Sequence, residues 1–200
     1  MGGLLILIGV LMLPAVTISW IYQENSLPIL ISAAISLFIG LILFFSIEKQ
    51  DQHVRKREGY LIVALSWVFM TGFGMLPFLL SKEITSISDA VFETVSGLTT
   101  TGASILTDIE VIPKGLLFWR SMTQWVGGLG IIVLTVAIFP LLGIGGIELF
   151  VAESPGPTSD KVHPRISETA KRLWYVYVGL TLLATILFWV GGMTFYDAIN

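Results

Sequence analysis

Five long stretches of this 200-residue chain carry no charged residue: Gly3–Tyr22, Leu27–Ile47, Gly59–Ser81, Ser121–Ile147 and Leu173–Tyr196. Each exceeds the ~18 apolar residues that mark a membrane-crossing helix. A backbone in hydrocarbon must satisfy its own N–H and C=O groups, and a chain of helix-length apolar runs does so as helices. The expected fold class is therefore an all-α, multi-pass membrane protein. Composition agrees, since 54% of residues are hydrophobic and only 12% charged, about half the ~25% of a soluble domain. With no cysteine in the chain, disulfides, thiolate nucleophiles and thiol-metal sites are excluded. The formal charge of −3 gives no support to nucleic-acid binding.

Charge placement sets the expected topology. The first run lacks a basic flank, is longer than a signal h-region of ~7–15 residues, and has no small-x-small cleavage site, so it reads as a span rather than a cleaved leader. Only Gln23, Glu24, Asn25 and Ser26 separate it from the second run, which makes the first two spans a tight hairpin. The loop after the hairpin holds Lys49, Arg55, Lys56 and Arg57, and the loop after the fourth run holds Lys161, Arg165, Lys171 and Arg172. Both are expected on the cytoplasmic side. Lys82 to Lys114 carries Glu83, Asp89, Glu93, Asp108 and Glu110 against two basic residues and fits the opposite face. The N-terminus is then cytoplasmic.

Between the third and fourth runs lies a segment too short to span. Ser88 or Asp89 is a credible N-cap, and Asp89 and Glu93 stand where a helix favours negative charge. A helix from about Ala90 to Leu98 would rise only ~13.5 Å, less than half of a ~30 Å hydrocarbon core. Followed by Thr99-Thr100-Thr101-Gly102-Ala103-Ser104, it suits a re-entrant half-helix, with irregular backbone at membrane depth. Its C-terminal end carries about −0.5 charge and would favour a cation. Carbonyls of Thr100, Thr101, Gly102 and Ala103 could replace a monovalent ion's hydration shell, and Gly102 would supply backbone angles that β-branched residues resist. An ordinary exposed Thr/Gly turn is the competing reading from composition.

The string Phe92-Glu93-Thr94-Val95-Ser96-Gly97-Leu98-Thr99-Thr100-Thr101-Gly102-Ala103, followed by Trp119-Arg120-Ser121-Met122-Thr123-Gln124-Trp125-Val126-Gly127-Gly128-Leu129-Gly130-Ile131-Ile132-Val133, resembles the pore-forming subunits of bacterial Trk/Ktr potassium uptake systems. The resemblance continues through Glu153-Ser154-Pro155-Gly156-Pro157 and Pro164-Arg165-Ile166-Ser167-Glu168-Thr169-Ala170-Lys171, and the extra N-terminal hairpin is similar to the Trk type. It implies K⁺ uptake through a carbonyl-lined filter. The backbone carbonyls of Thr100 and Thr101 would bind the ion, Gly102 would make the filter turn, and Asp89, Glu93 and Gly97 would lie in the pore helix. It also implies residence in the bacterial inner membrane, a homodimer when complete, and a cytoplasmic TrkA-like nucleotide-binding regulatory ring. No covalently bound cofactor is implied, and K⁺ is the transported ion. The same scaffold could serve as an ion-coupled K⁺ symporter, and a non-conducting assembly subunit or inactive truncated product is the reading from another class.

Family members carry four span–half-helix–span units, whereas this chain has one. The expected organisation is a hairpin with its basic loop (1–58), a first pore unit (59–147), a cytoplasmic loop (148–172) and the first helix of a second unit (173–200). Asp197-Ala198-Ile199 echoes Asp89-Ala90-Val91 at an offset of 197 − 89 = 108 residues, like the start of a second pore helix. The chain is thus expected to be a fragment of a four-unit protein. Gly127, Gly128 and Gly130 suit close helix packing, or a pore-lining helix that bends. Arg120 is expected to snorkel at the interface, with pairing to Glu93 or Asp89 as the alternative. Trp20, Tyr22, Tyr60, Trp119, Trp174 and Tyr196 read as interfacial anchors. His53 and His163 lack clustered partners for a metal, and no catalytic constellation occurs, so no enzymatic activity is expected.

Overall fold

The computed structural model describes the backbone of residues 1–46, 56–141 and 162–200, and the side chains of 1–46, 61–130 and 171–200. The described secondary structure is entirely helical: α1 (Gly2–Ile21), α2 (Leu27–Phe45), α3 (Lys56–Gly74), α4 (Leu76–Ser81), α5 (Ile87–Leu98), α6 (Lys114–Leu141), α7 (Val162–Val190) and α8 (Phe195–Ile199). Among the described residues, four segments are long and apolar enough to cross a membrane, namely Gly2–Ile21, Leu27–Phe45, Leu61–Ser81 and Lys171–Val190. Much of both basic loops lies outside the described residues. The described residues group into two units, Met1–Gly127 and Gly128–Asn200.

In the first unit, α1 and α2 form the expected hairpin, and small residues let their backbones meet. A Cβ on Gly2 would stand 2.6 Å from Phe44 N, and one on Gly40 would stand 2.8 Å from Ile6 N. Gly9 faces Leu37 and the Ala33 carbonyl in the same way. Buried Ser32 and Ser36 turn their hydroxyls back to the carbonyls of Pro28 and Ser32, at 2.7 and 2.8 Å. The hairpin therefore needs no charge at its seam, as expected for helices that gain nothing from excluding lipid.

The third apolar run is not one helix. Pro77 supplies no backbone donor, and Phe78 N pairs with Met75 O rather than continuing the α-helical ladder. The run breaks between α3 and α4. The carbonyl of Gly74, so released, accepts the indole N–H of Trp119 at 2.9 Å. Trp119 is consequently buried, and so is Tyr196, which corrects the expectation that both are interfacial anchors. Trp20, Tyr22 and Trp174 are exposed as anchors would be, while the side chain of Tyr60 lies outside the described residues.

The half-helix α5 has 12 residues, a rise of about 18 Å, and still cannot cross. It starts three residues earlier than expected, because Ser86, in extended conformation, is the N-cap rather than Ser88 or Asp89. In the second unit α7 ends at Val190, Gly192 turns the chain at φ 103°, and α8 follows with Thr194 as its N-cap, accepting from Asp197 N at 3.2 Å. Thr194 stands 194 − 86 = 108 residues after Ser86. The 108-residue echo thus extends to the residue that starts each helix.

Candidate functional site

The half-helix is seated by glycines. A Cβ on Gly74 of α3 would stand 3.0 Å from the Thr94 methyl, one on Gly97 would collide with Thr123 Oγ1 of α6, and one on Gly127 would collide with the Leu98 carbonyl. Gly97 and Gly127 are therefore close-packing positions in the first unit. In the second unit, a Cβ on Gly128 would stand 2.7 Å from the Tyr177 hydroxyl, while Gly130 has open space. Close packing accounts for Gly127 and Gly128, not for Gly130. The glycines 143, 145 and 146 lie outside the described residues.

Beyond Leu98 the chain leaves the helix in a defined way. The amides of Thr99 and Thr100 donate to Val95 O and Gly97 O at 2.8 and 2.9 Å, and those of Thr101 and Gly102 both donate to Ser96 O, at 3.0 and 3.4 Å. A trans peptide holds its C=O antiparallel to its N–H. The carbonyls of Thr100 and Thr101, which share peptide planes with the Thr101 and Gly102 amides, therefore both point away from Ser96. Two N–H groups converging on one acceptor leave two C=O groups directed the same way.

This arrangement requires unusual backbone angles. Thr100 has φ 57° and Gly102 φ 75°, while Thr99 has φ −85° and Thr101 is not among the residues of positive φ. A positive φ is inexpensive for Gly102 and strained for a β-branched residue such as Thr100. Thr100 Oγ1 donates to Thr99 O at 2.7 Å, and the hydroxyls of Thr99 and Thr101 lie 2.8 Å apart. Ala103 differs from its neighbours, for its carbonyl accepts a 2.5 Å hydrogen bond from Ser96 Oγ and faces the half-helix.

Asp89 and Glu93, four residues apart, part company. Asp89 is exposed in the first turn of α5, whereas Glu93 is 2% exposed. Arg120 Nε donates to Glu93 Oε1 at 2.5 Å, so Arg120 braces the half-helix, the alternative reading, rather than snorkelling. The same carboxylate accepts from Ser104 Oγ and Ile105 N, each at 3.1 Å. A second brace was not visible in the sequence. Glu24, in the turn of the hairpin, accepts from the amides of Lys114 and Gly115 at 2.8 and 3.1 Å, capping the otherwise unsatisfied donors at the start of α6.

One side of α5 stays open. An apolar groove of about 540 Å³ runs along it between Trp67, Thr71, Val91 and Val95, and another of about 440 Å³ lies by Phe92, Thr99 and Thr101. No group of three or more His, Cys, Asp or Glu positioned to hold a metal occurs among the described residues.

The model of a family described as TrkH, cation transport protein, matches residues 26–198. The Trk system potassium uptake protein TrkH of Vibrio parahaemolyticus is 44% identical over 202 residues, covering 100% of this chain and 42% of the relative. That of Escherichia coli K12 is 48% identical over 168 residues, covering 83% and 35% respectively. The E. coli protein TrkG is 36% identical over 201 residues, covering 99% and 41%. The crystal structure of the potassium transporter TrkH from Vibrio parahaemolyticus superimposes with a TM-score of 0.84 at 40% identity, covering 99% of this chain and 40% of that one. The chain spans about two fifths of the length of the curated relatives it matches.

Proposed function

The chain belongs to the TrkH cation transport family, and from that premise we propose that it supplies one quarter of the filter of a K⁺ uptake protein. The observation that carries this reading is the pair of amides, Thr101 N and Gly102 N, converging on Ser96 O, which turns the Thr100 and Thr101 carbonyls outward together. Uncharged carbonyls of this kind replace the hydration shell of a weakly hydrated monovalent cation. Divalent ions seek carboxylates, and the nearby carboxylate of Glu93 is already engaged by three donors.

A filter needs such loops around one axis, so the remaining pore units of the complete protein would cover the open side of α5 and present three more loops to the same ion. The 108-residue repeat of the helix start, Ser86 and Thr194, supports that arrangement. The protein resides in the bacterial inner membrane with its N-terminus in the cytoplasm, an orientation supported by the basic residues at 49–57 and 161–172 and the acidic loop between. The complete form is a homodimer whose cytoplasmic face meets a TrkA-like nucleotide-binding ring. Transport, not covalent chemistry, is its activity.

Rescue of growth on limiting K⁺, in cells lacking their own uptake systems, tests the reading. The form to use is a chimera in which this chain replaces the matching portion of the Vibrio parahaemolyticus relative. Growth at micromolar K⁺ is expected. An inserted chimera that never rescues, beside a relative that does, overturns the proposal.

A further inference from the structure

We propose that Glu93 is a positioning residue that sets how well the filter distinguishes K⁺ from Na⁺, a role that rests on the filter reading above. The segment Thr100–Ala103 is held to α5 at both ends. At the near end, Ser96 O takes the amides of Thr101 and Gly102. At the far end, Ser96 Oγ holds the Ala103 carbonyl, and Glu93, one turn earlier on the helix, holds Ser104 Oγ and Ile105 N. Ser104 Oγ in turn accepts from Leu106 N at 3.1 Å. The spacing and stiffness of the filter carbonyls decide which ion they replace water for, and Glu93 fixes where the segment carrying them ends.

Opposite Arg120, only a carboxylate fits the place. Arg120 Nε approaches Oε1, Ile105 N approaches Oε2, and Ser104 Oγ lies 3.1 Å from both. An ionised carboxyl is acceptor-only and accommodates all three donors. Glutamine has nearly the same volume, but whichever way its amide sits, its NH₂ opposes either Arg120 or Ile105. The side chain of Glu93 is 1% exposed and that of Arg120 15%, so each charge depends on the other for its place in the protein. Arg120 permits the buried carboxylate, and the carboxylate pins the loop.

K⁺ and Na⁺ uptake are measured in the chimera described above, unsubstituted and as Glu93→Gln, Glu93→Gln/Arg120→Gln and Ser104→Ala, with amide hydrogen exchange across 99–106 followed in each. Glu93→Gln is expected to lower the K⁺/Na⁺ uptake ratio about tenfold, the scale of one lost charge-assisted hydrogen bond, and to speed exchange at Ile105. The double variant is expected to recover most of the ratio, because its two carboxamides can pair with each other while the one on α5 still accepts from the loop. An unchanged ratio in Glu93→Gln, at normal abundance in the membrane, overturns the proposal, as does a double variant no better than the single one. Should Glu93→Gln fail to insert, Ser104→Ala decides: it leaves the ion pair intact and must still lower the ratio. If the unsubstituted chimera takes up no K⁺, the filter reading falls, and unchanged exchange at Ile105 in Glu93→Gln would separately overturn the brace.

Discussion

The hairpin α1–α2 and the half-helix α5 are both packed helices in an apolar setting, yet they are held by different physics. The hairpin seam is glycine, alanine and serine, with backbones in contact at Gly2, Gly9 and Gly40 and the hydroxyls of Ser32 and Ser36 satisfied within their own helix. The half-helix also uses glycine seats, but the segment that follows it is tied by a buried carboxylate, a guanidinium and a serine hydroxyl. Two complete helices can satisfy their own backbone groups and need only fit. A segment that leaves the helix at Thr99 has amides and carbonyls that no helical ladder satisfies, and side chains must supply what the ladder no longer does.

Variants can break that contrast, starting with the largest effect. Arg120→Ala leaves the Glu93 carboxylate buried without its cation, and loss of one partner of a buried pair costs about 3–5 kcal/mol. A large fall in the melting temperature of the detergent-solubilised protein is expected, and a change of a degree or less would show that the pair does not hold the half-helix. Gly40→Leu attacks the other region by steric means alone, forcing α2 away from Ile6 at a cost of about 1–3 kcal/mol. The hairpin should loosen, seen as faster proteolysis within 1–46, while residues 99–106 keep their hydrogen-exchange protection. Loss of protection at 99–106 as well would mean the two regions are one cooperative unit. Glu24→Gln probes the link between them. It retains an acceptor for one of the two amides at the start of α6 but loses the charge, so about 1 kcal/mol or less is expected. A thermal shift as large as that of Arg120→Ala would reverse this order of importance.

What the sequence disclosed and what it hid follow the same division. The hairpin, the four spans found among the described residues and the half-helix were legible because uncharged length, and the charges that interrupt it, are local properties, while the expected span Ser121–Ile147 runs past the described residues. The helix start was misplaced by three residues because Ser86, Ser88 and Asp89 are all acceptable caps, and only the path of the preceding turn selects among them. The break at Met75 was legible in principle from Pro77, but the destination of the freed Gly74 carbonyl was not: Trp119 lies 45 residues away. Glu24 and the amides of Lys114 and Gly115 are 90 and 91 residues apart, and no periodicity connects them. For Arg120 the sequence offered both an interfacial and a paired reading, and the packing of α6 on α5 selected the second. At Thr100–Ala103, residue types suggested outward carbonyls, while the double use of Ser96, by its carbonyl and by its hydroxyl, needed coordinates.

The central claim is that the left-handed backbone angles at Thr100 and Gly102 turn the Thr100 and Thr101 carbonyls outward, while the side chains of Ser96 and Glu93 hold the end of that turn. Gly102→Ser isolates this, because a Cβ at Gly102 meets nothing within 4 Å while φ is 75°, so the substitution adds no collision and only the left-handed penalty of about 1–2 kcal/mol. Rubidium uptake by the chimera, with and without Gly102→Ser at equal membrane abundance, is the direct measurement. The account predicts that uptake falls at least about fivefold, as that penalty implies, while hydrogen exchange in α1 and α2 is unchanged. Uptake equal to that of the unsubstituted chimera would contradict it.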